Sequence, residues 1–287
     1  MDLPKIIDLH MHTTVSDGTD TPAEILVRVK EAGIELFSVT DHDAVKGCLQ
    51  IQAVLGPGDP QFITGAEFSC KDEEGKYHIL GYGYDPMSAA MQKLIALGHG
   101  YRMNKLAARL AFLEKEFAVK LPKEAIDELY AMDNPGKPHI GNLMVRYGFA
   151  ETKDAAIRDF LNKLHAPTQY VRPEEAIEGI LGSGGIPVLA HPFYGSGDQL
   201  ILGQEMEDRL KKLMGFGLQG VEAFYSGFTK RLREQMLKYA EKYGLYVTAG
   251  SDYHGANKLV VLKDTGCENA AEGPEGLQRF LRDVLEK

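Results

Sequence analysis

The sequence has few cysteines, no long apolar run and no excess of positive charge. Its 287 residues include three cysteines, Cys48, Cys70 and Cys267, an odd and widely spaced set that argues against a disulfide framework and a cysteine zinc knuckle. There is no apolar stretch of about eighteen residues and no basic, apolar leader at the N-terminus. We therefore expect a cytoplasmic protein that does not bind membranes.

The formal net charge of −9 argues against binding long nucleic acid through bulk charge, because such binding requires many lysine and arginine contacts to phosphate. Any phosphate recognition must be local. The composition leaves the oligomeric state open.

Metal-binding side chains, in contrast, are concentrated near the N-terminus. The apolar run Lys5–Leu9 predicts a buried strand, and His10 and His12 follow it at i and i+2, where extended backbone points both rings the same way. Asp17 lies in the loop after them. The two histidines could therefore grip one ion together.

A βαβ unit surrounds this motif. Thr21, Pro22 and Glu24 match an N-cap, a proline in the first turn and a capping-box glutamate, which predicts a helix from Pro22 to about Gly33. The next strand, Leu36–Thr40, leads to Asp41, His42 and Asp43.

The same arrangement recurs along the chain. A single His-x-His pair is weak evidence, since most histidines are structural, but repetition favours a metal site. In a β/α barrel the C-terminal ends of the strands form one functional face, so these residues should converge. The later candidates are Glu67 after strand Phe62–Ala66, His78 in Tyr77–Gly81, His191 after Ile186–Ala190, Glu222 in Gly220–Phe224, and Asp252 and His254 after Leu245–Gly250.

The motifs D-L-H-M-H-T, T-D-H-D, A-H-P and G-S-D-Y-H, with Glu67 and His78 between them, resemble the PHP (polymerase and histidinol phosphatase) superfamily of metal-dependent phosphoesterases. The resemblance implies an α/β fold, a distorted (β/α)7-type barrel built from residues 1–86 and 171–287. A helical insertion, residues 87–170, would cover the active site. It points most closely to stand-alone members that act on nucleoside 3′,5′-bisphosphates or on the 5′ ends of short RNA.

The resemblance also implies a trinuclear metal site. One ion would be held by His10, His12 and Asp252, with Glu67 bridging to a neighbour; a second by Asp17, His42 and His254; and a third by His78 and His191 with Glu67. Imidazole and carboxylate ligands without thiolate favour Mn or Fe first and Zn second. The resemblance implies that two or three divalent ions are bound.

The segment between about Pro86 and Pro173 has helical periodicity. Arg102, Lys105 and Arg109 share one helix face, which is either a solvated surface or a phosphate clamp. The turn Asn134–His139 could present Lys137 and His139 to an anion, and the resemblance supports binding of substrate phosphate by insertion residues at about these places. Arg172 is a weaker candidate. Glycines at 98–100 and 182–185 could act as hinges.

Asp43 and His254 are the candidate catalytic residues. Asp43 could contact substrate or act as a general acid or base, or could instead orient a ligand histidine. Tyr253 could touch substrate or pack under the site, and Glu222 could support a ligand or simply end a strand.

The predicted activity is hydrolysis of a phosphate ester by metal-activated water. The favoured substrates are nucleoside 3′,5′-bisphosphates, losing the 3′-phosphate, or short RNA, losing 5′-nucleotides. The alternatives are a histidinol-phosphatase-like phosphomonoesterase, a non-catalytic metal or nucleotide-binding module, and an amidohydrolase.

Overall fold

The computed structural model describes residues 2–164, 169–195 and 199–286, which form a mixed α/β fold. The strands, in chain order, are β1 Ile7–Asp8, β2 Leu36–Phe37, β3 Gln61–Phe62, β4 Gly65–Lys71, β5 Lys76–Tyr82, β6 Ile186–Leu189, β7 Gly220–Tyr225 and β8 Tyr246–Gly250. The helices are α1 Pro22–Glu31, α2 Lys46–Val54, α3 Ala89–Phe117, α4 Lys123–Ala131, α5 Lys137–Arg146, α6 Lys153–Asp159, α7 Pro173–Gly182, α8 Gly203–Gly215, α9 Lys230–Tyr243 and α10 Glu275–Leu285. Among the described residues, no helix is long and apolar enough to cross a bilayer.

Helix α1 begins where its capping signals predict. The Thr21 side chain accepts a hydrogen bond from the Glu24 backbone, and the Glu24 carboxylate accepts one from the Thr21 backbone N–H, so two otherwise unpaired donors are satisfied. The apolar face of α1 is buried, and the helix ends at Glu31, within two residues of the predicted end.

The strands form two sheets that join into a barrel. Strands β1, β2 and β3 are parallel neighbours, and the second sheet has the order β4-β5-β6-β7-β8. The backbone N–H of Leu9 donates to Ala249 O (2.9 Å), which links the β1 side to β8. The N–H of Glu67 donates to Asp41 O (3.3 Å), which links β4 to the segment after β2. The predicted barrel-like α/β fold is confirmed.

The regular β/α alternation fails at β4 and β5. These strands form an antiparallel hairpin, and β5 is also antiparallel to β6, whereas β6, β7 and β8 are parallel. Reversal of β5 brings its beginning to the rim where the parallel strands end. His78, the third residue of β5, therefore reaches the functional face from the start of a strand.

Three predicted strands differ from the structure by more than one residue at an end. The predicted strands Lys5–Leu9 and Leu36–Thr40 shrink to two residues each, because the chain leaves the ladder to form the loops that carry the ligands. The prediction of one strand at Phe62–Ala66 is wrong: it is split, and Glu67 lies within β4. Gly65 opens β4 where a Cβ would lie 2.1 Å from Ser38 Oγ, so the close approach requires glycine.

Helices α3 to α6 share a hydrophobic cluster of their own. Leu106 and Leu113 of α3, Leu129 of α4 and Leu143 of α5 are all buried in it, and this cluster is separate from the large core of the barrel. The long helix α3 leaves the barrel after β5, and the chain returns to it before α7.

The suggestion of a hinge at residues 98–100 is wrong, because these residues lie inside α3. Gly98 is instead a point of close packing: a Cβ there would lie 3.0 Å from Asp43 Cβ. The other glycine stretch follows α7, and the positive φ of Gly184 (78°) suits the reversal after that helix.

Candidate metal centre

Glu67 of β4 lies at the middle of a ring of imidazoles. Its Oε1 atom is 2.7 Å from His78 Nδ1 and 3.1 Å from His191 Nε2. Its Oε2 atom is 3.3 Å from His10 Nε2, 3.1 Å from His12 Nε2 and 3.2 Å from His42 Nδ1. The side chain is 1% exposed, so one buried carboxylate contacts rings from four different parts of the chain.

Asp252 and Asp17 complete the centre on the side of His12. Asp252 Oδ1 is 3.4 Å from His10 Nε2 and equally far from His12 Nε2. Asp17 Oδ1 is 3.3 Å from His254 Nε2, and its Oδ2 is 3.9 Å from His42 Nε2. All nine residues predicted as ligands therefore meet at one site.

Three sets of these residues have ligand atoms close enough to hold an ion, with all atoms of a set within 4.8 Å of one another. His191 belongs to none of them, although it contacts Glu67, and His42 takes the corresponding place beside His78. His12, His42 and Glu67 each belong to two sets, and because a neutral imidazole has one free lone pair, His12 and His42 would each serve only one ion. The sets are His10, His12, Glu67 and Asp252; His12, Asp17, His42 and His254; and His42, Glu67 and His78.

The hydrogen bonds of the rings indicate that these residues fit a cation. His10 Nδ1 lies 2.9 Å from the Glu222 carboxylate, and His254 Nδ1 lies 2.8 Å from the Asp252 carbonyl oxygen. A carbonyl oxygen and an ionised carboxylate can only accept hydrogen bonds, so the Nδ1 atoms donate, and each ring, when neutral, presents its Nε2 lone pair to a carboxylate. His10 Nε2 and His12 Nε2 are buried without a hydrogen-bond partner. Lone pairs facing carboxylate oxygens repel unless a cation or a proton lies between them, and the donor set suits a divalent ion.

The charges within the site agree with this reading. Burial alone would favour the neutral form of Glu67, but the ion pairs with the surrounding histidines outweigh burial, so the pKa of Glu67 lies well below its usual value. Likewise, the nearby carboxylates of Asp252 and Glu67 overcome the effect of burial and raise the pKa of His12 to about 9. The carboxylates therefore remain anionic and attract positive charge into the centre.

Backbone strain is concentrated at the same place. Asp43, His191 and Asp252 have positive φ angles of 48°, 28° and 61°, a backbone region that residues other than glycine rarely adopt. Such strain persists only where surrounding contacts enforce it, and it clusters at functional sites. Here it turns the ends of three β-segments toward one centre.

Carboxylates outside the predicted ligand set hold the ligands in place. Glu222 of β7 is fully buried and accepts hydrogen bonds from His10 Nδ1 and from the His191 backbone N–H (2.8 Å). Asp41 accepts from the backbone and hydroxyl of Thr13 and from Ser16 Oγ, and so fixes the loop that carries Asp17. The sequence indicated that Glu222 lies in a predicted strand and that Asp41 directly follows one, but it did not indicate which groups they would contact.

A group of cations from α3 lies beside the centre. Arg102 Nε donates to Asp43 Oδ2 (2.6 Å), and its terminal nitrogen donates to Ser69 Oγ (3.0 Å). Lys105 is only 7% exposed, and its ammonium lies 3.7 Å from the centroid of the Tyr170 ring. Burial and repulsion by Arg102 and Arg109 lower the pKa of Lys105 to about 7. Asp43 uses both carboxylate oxygens, since Oδ1 accepts from Ser69 N.

The remaining predicted substrate contacts lie near this group. Lys137 begins α5 and its Nζ contacts Asn162 Oδ1, while burial, Arg109 and Lys76 lower its pKa to about 8. His139 Nδ1 accepts from Gly136 N (2.9 Å), and burial lowers the pKa of its ring.

Sequence reasoning missed Lys76, which shares a face of β5 with His78, although the i, i+2 spacing was a signal for it. Of the weaker candidates, Arg172 pairs with Glu73 and Glu174 at the surface. Tyr253 donates to Asp20 and packs on the cluster under α1.

Comparison with known proteins places the chain in a family. It is similar to a 3′,5′-nucleoside bisphosphate phosphatase of Chromobacterium violaceum, with 28% identity over 86% of this chain and 87% of the relative. It also resembles a 5′-3′ exoribonuclease of Haemophilus influenzae (26% identity; 88% and 91% covered). A third relative is a phosphoribosyl 1,2-cyclic phosphate 1,2-diphosphodiesterase of Eggerthella lenta (30% identity; 87% and 94% covered).

Among solved structures, a Bifidobacterium adolescentis protein described as a candidate metal-dependent phosphoesterase superposes with a TM-score of 0.81 at 26% identity, covering 97% of this chain and 96% of that one. The PHP domain family matches residues 8–285, almost the whole chain and every one of the clustered histidines and carboxylates. The chain therefore belongs to the PHP domain family and is a metal-dependent phosphoesterase.

Proposed function

We propose that this protein hydrolyses phosphate esters that carry a second, terminal phosphate, and that it releases the 3′-phosphate of nucleoside 3′,5′-bisphosphates and 5′-nucleotides from short RNA. The observation that carries the proposal is the cationic group on α3 beside the metal centre. The names of the Chromobacterium and Haemophilus relatives support the same substrate class.

The proposed ligands are His10, His12, Asp17, His42, Glu67, His78, His191, Asp252 and His254. Two or three divalent ions held there, Mn or Fe first and Zn second, would supply charge neutralisation for the phosphoryl oxygens and an activated water. Glu222 and Asp41 would keep the ligands oriented. We also propose a catalytic role for one of these ligands, His254, whose ring is held by a hydrogen bond to the Asp252 carbonyl oxygen.

The second phosphate would bind between the barrel and the insertion, residues 87–170. Arg102, Lys105, Lys137 and His139 all lie on that side, and Asp43 is the carboxylate paired with them through Arg102. The low pKa values of Lys105 and Lys137 reflect burial and repulsion by neighbouring cations, among them Arg109 and Lys76, and a phosphate dianion would offset that repulsion. We propose that Asp43 acts through Arg102, holding the guanidinium so that its free N–H groups face the phosphate.

Contacts across the insertion support its position over the site. Lys153 of α6 donates to the carbonyl and side-chain oxygens of Asn257 (3.0 and 3.1 Å), and Asn257 in turn donates to Asp17 O. Asn134 Nδ2 lies 3.4 Å from Asp43 O. The insertion thus touches loops that carry proposed ligands on two sides, which is the arrangement expected of a cover.

The first experiment compares substrates with and without the second phosphate. Metal-stripped protein restored with Mn is assayed on adenosine 3′,5′-bisphosphate, adenosine 3′-monophosphate, a 5′-phosphorylated dinucleotide and histidinol phosphate. We expect preference for the bisphosphate and dinucleotide, loss of all activity in His12→Ala, and a higher KM in Arg102→Ala for 5′-phosphorylated substrates only.

The matched control is the 3′-monophosphate, whose KM should not respond to Arg102→Ala. Equal effects on both nucleotides would contradict the proposed phosphate anchor, which consists of Arg102, Lys105, Lys137 and His139. Turnover of histidinol phosphate alone would favour the histidinol-phosphatase alternative, and metal binding without any turnover would favour a binding module. Phosphoribosyl 1,2-cyclic phosphate, the substrate in the Eggerthella relative's name, belongs in the same panel because it too carries two phosphates.

A further inference from the structure

Two tyrosines lie on the side of the metal centre away from the cationic group. The His42, His78 and His191 rings form a row with centroid separations of 5.1 and 5.0 Å. Arg102 lies at the His42 end, where both side chains contact Ser69. At the other end the Tyr225 ring is 5.4 Å from His191, and Tyr194 is 5.9 Å from Tyr225.

The positions of both tyrosine rings are fixed by hydrogen bonds. The Tyr194 hydroxyl donates to Gly227 O (2.7 Å), and the Tyr225 hydroxyl donates to Asp252 Oδ2 (3.0 Å). Gly227 leaves room for them, because a Cβ there would lie 2.8 Å from Tyr225 Cε1 and 3.2 Å from the Tyr194 hydroxyl. Both rings pack on buried Phe228, yet both remain partly accessible.

A cation accompanies the rings. Lys258 Nζ is 2.6 Å from Asp252 Oδ2, the same oxygen that accepts from Tyr225, so the ammonium and the phenol lie side by side. Fixed aromatic faces next to a positive charge are how proteins bind single-stranded nucleotides, with bases stacked on rings and the backbone near a cation. A free phosphate product needs no aromatic surface.

We propose that Tyr194 and Tyr225 form a stacking site for the base of the nucleotide on the far side of the scissile phosphate, with Lys258 beside its sugar and phosphate. This rests on the proposed function and deepens it, because it assigns a binding site to the second nucleotide of a short RNA. The substrate would span the centre, with its 5′-phosphate at the α3 cations and its second base on Tyr194.

The chemistry is the same for both substrates. Water oxygen bonds to phosphorus, the bond from phosphorus to the 3′-oxygen breaks, and that oxygen takes a proton and leaves with the 5′-nucleotide. With a bisphosphate, the other product is inorganic phosphate. With a dinucleotide, the phosphate stays on the second nucleoside as a 5′-phosphate, and no further reactant is required.

The test compares Tyr194→Ala with Tyr194→Phe on three substrates, using Mn-restored protein. The substrates are adenosine 3′,5′-bisphosphate, the 5′-phosphorylated dinucleotide, and the same dinucleotide with an abasic second residue. We expect Tyr194→Ala to lower kcat/KM for the intact dinucleotide by about tenfold or more, because stacking on an aromatic ring contributes this much per base. Values for the other two substrates should be unchanged, and Tyr194→Phe should retain dinucleotide activity.

A purely structural role for Tyr194 would lower all three values together, and that result would overturn the inference. Thermal unfolding of each variant identifies a folding defect. If Tyr194→Ala has one, the test is the activity of Tyr194→Phe on the intact dinucleotide compared with its activity on the abasic substrate. Unchanged dinucleotide activity in Tyr194→Ala, or turnover of the bisphosphate without the dinucleotide, would also overturn the stacking site while leaving the phosphatase intact. No turnover of any substrate would overturn the proposed function itself.

Discussion

Lys105 offers a direct test of the proposed phosphate anchor, because a positive charge buried at this position lowers the stability of the folded protein. Its pKa of about 7 compares with an ordinary value of 10.5, and the side chain is 7% exposed. A gap of about 3.5 units corresponds to about 5 kcal/mol as an upper limit. We therefore expect Lys105→Met to raise the free energy of unfolding, provided that the pH is near or below 7.

The pH dependence has a definite sign. Between pH 7 and 10.5 the unfolded chain binds the Lys105 proton and the folded protein does not, so the unfolding free energy of the parent rises with pH across this window. The advantage of Lys105→Met should then be largest below pH 7 and vanish toward pH 10.5. Urea unfolding at several pH values measures it, with Lys93→Met, an exposed lysine of the same helix, as the control.

The binding of a phosphate should reverse this balance. At pH 8 we expect Lys105 to take up close to one proton when the protein binds a 5′-phosphorylated nucleotide, because the dianion restores its charge, and Lys137, whose pKa is about 8, to add about half a proton. Calorimetry in buffers of different ionisation heat measures that uptake. If Lys105→Met is no more stable than the parent at pH 6, and if uptake is the same in the variant, Lys105 is not the buried cation described here.

Three further predictions concern other parts of the site. Glu222→Gln should weaken metal binding by about 10- to 100-fold, because the His10 ring loses its anionic partner; competition with a chelator measures this, and Glu178→Gln at the surface is the control. Gly98→Ala should destabilise the fold, because its Cβ would press on Asp43, whereas Gly100→Ala, with open space around it, should stabilise α3 by about 0.5–1 kcal/mol in thermal unfolding; equal effects would refute the packing argument. Arg102→Lys should raise KM for 5′-phosphorylated substrates by about tenfold with little change in kcat, since lysine cannot keep both the Asp43 and Ser69 bonds; an unchanged KM would remove Arg102 from the anchor.

Local patterns in the sequence were enough to locate the metal centre. His10 and His12 could be paired because strand periodicity is a short-range rule, and the same rule places Asp252 near His254. The capping signals of α1 also depend only on neighbouring residues, and they predicted its start correctly. Convergence of distant strand ends followed from the barrel topology, which repeated motifs imply.

Long-range contacts were beyond such reasoning. Nothing near β7 indicates that Glu222 would meet a ring 212 residues away in sequence, because that partnership depends on how β7 lies between its neighbours. The antiparallel hairpin of β4 and β5 was likewise missed, since the strand pattern does not encode direction. The buried state of Lys105 and its contact with Tyr170 arise only when α3 folds back onto the barrel.

The separate hydrophobic cluster of helices α3 to α6 has a consequence for how such proteins diversify. The second half of α3 packs in this cluster through Leu106 and Leu113, whereas Met91 and Leu94 in its first half lie in the barrel core, so residues of the second half can be exchanged without repacking the barrel. The metal centre and the proposed phosphate anchor can therefore accumulate mutations at different rates. Three relatives of comparable similarity bear the names of three different phosphoesterase activities, as expected if lineages conserve the chemistry and vary the anchor.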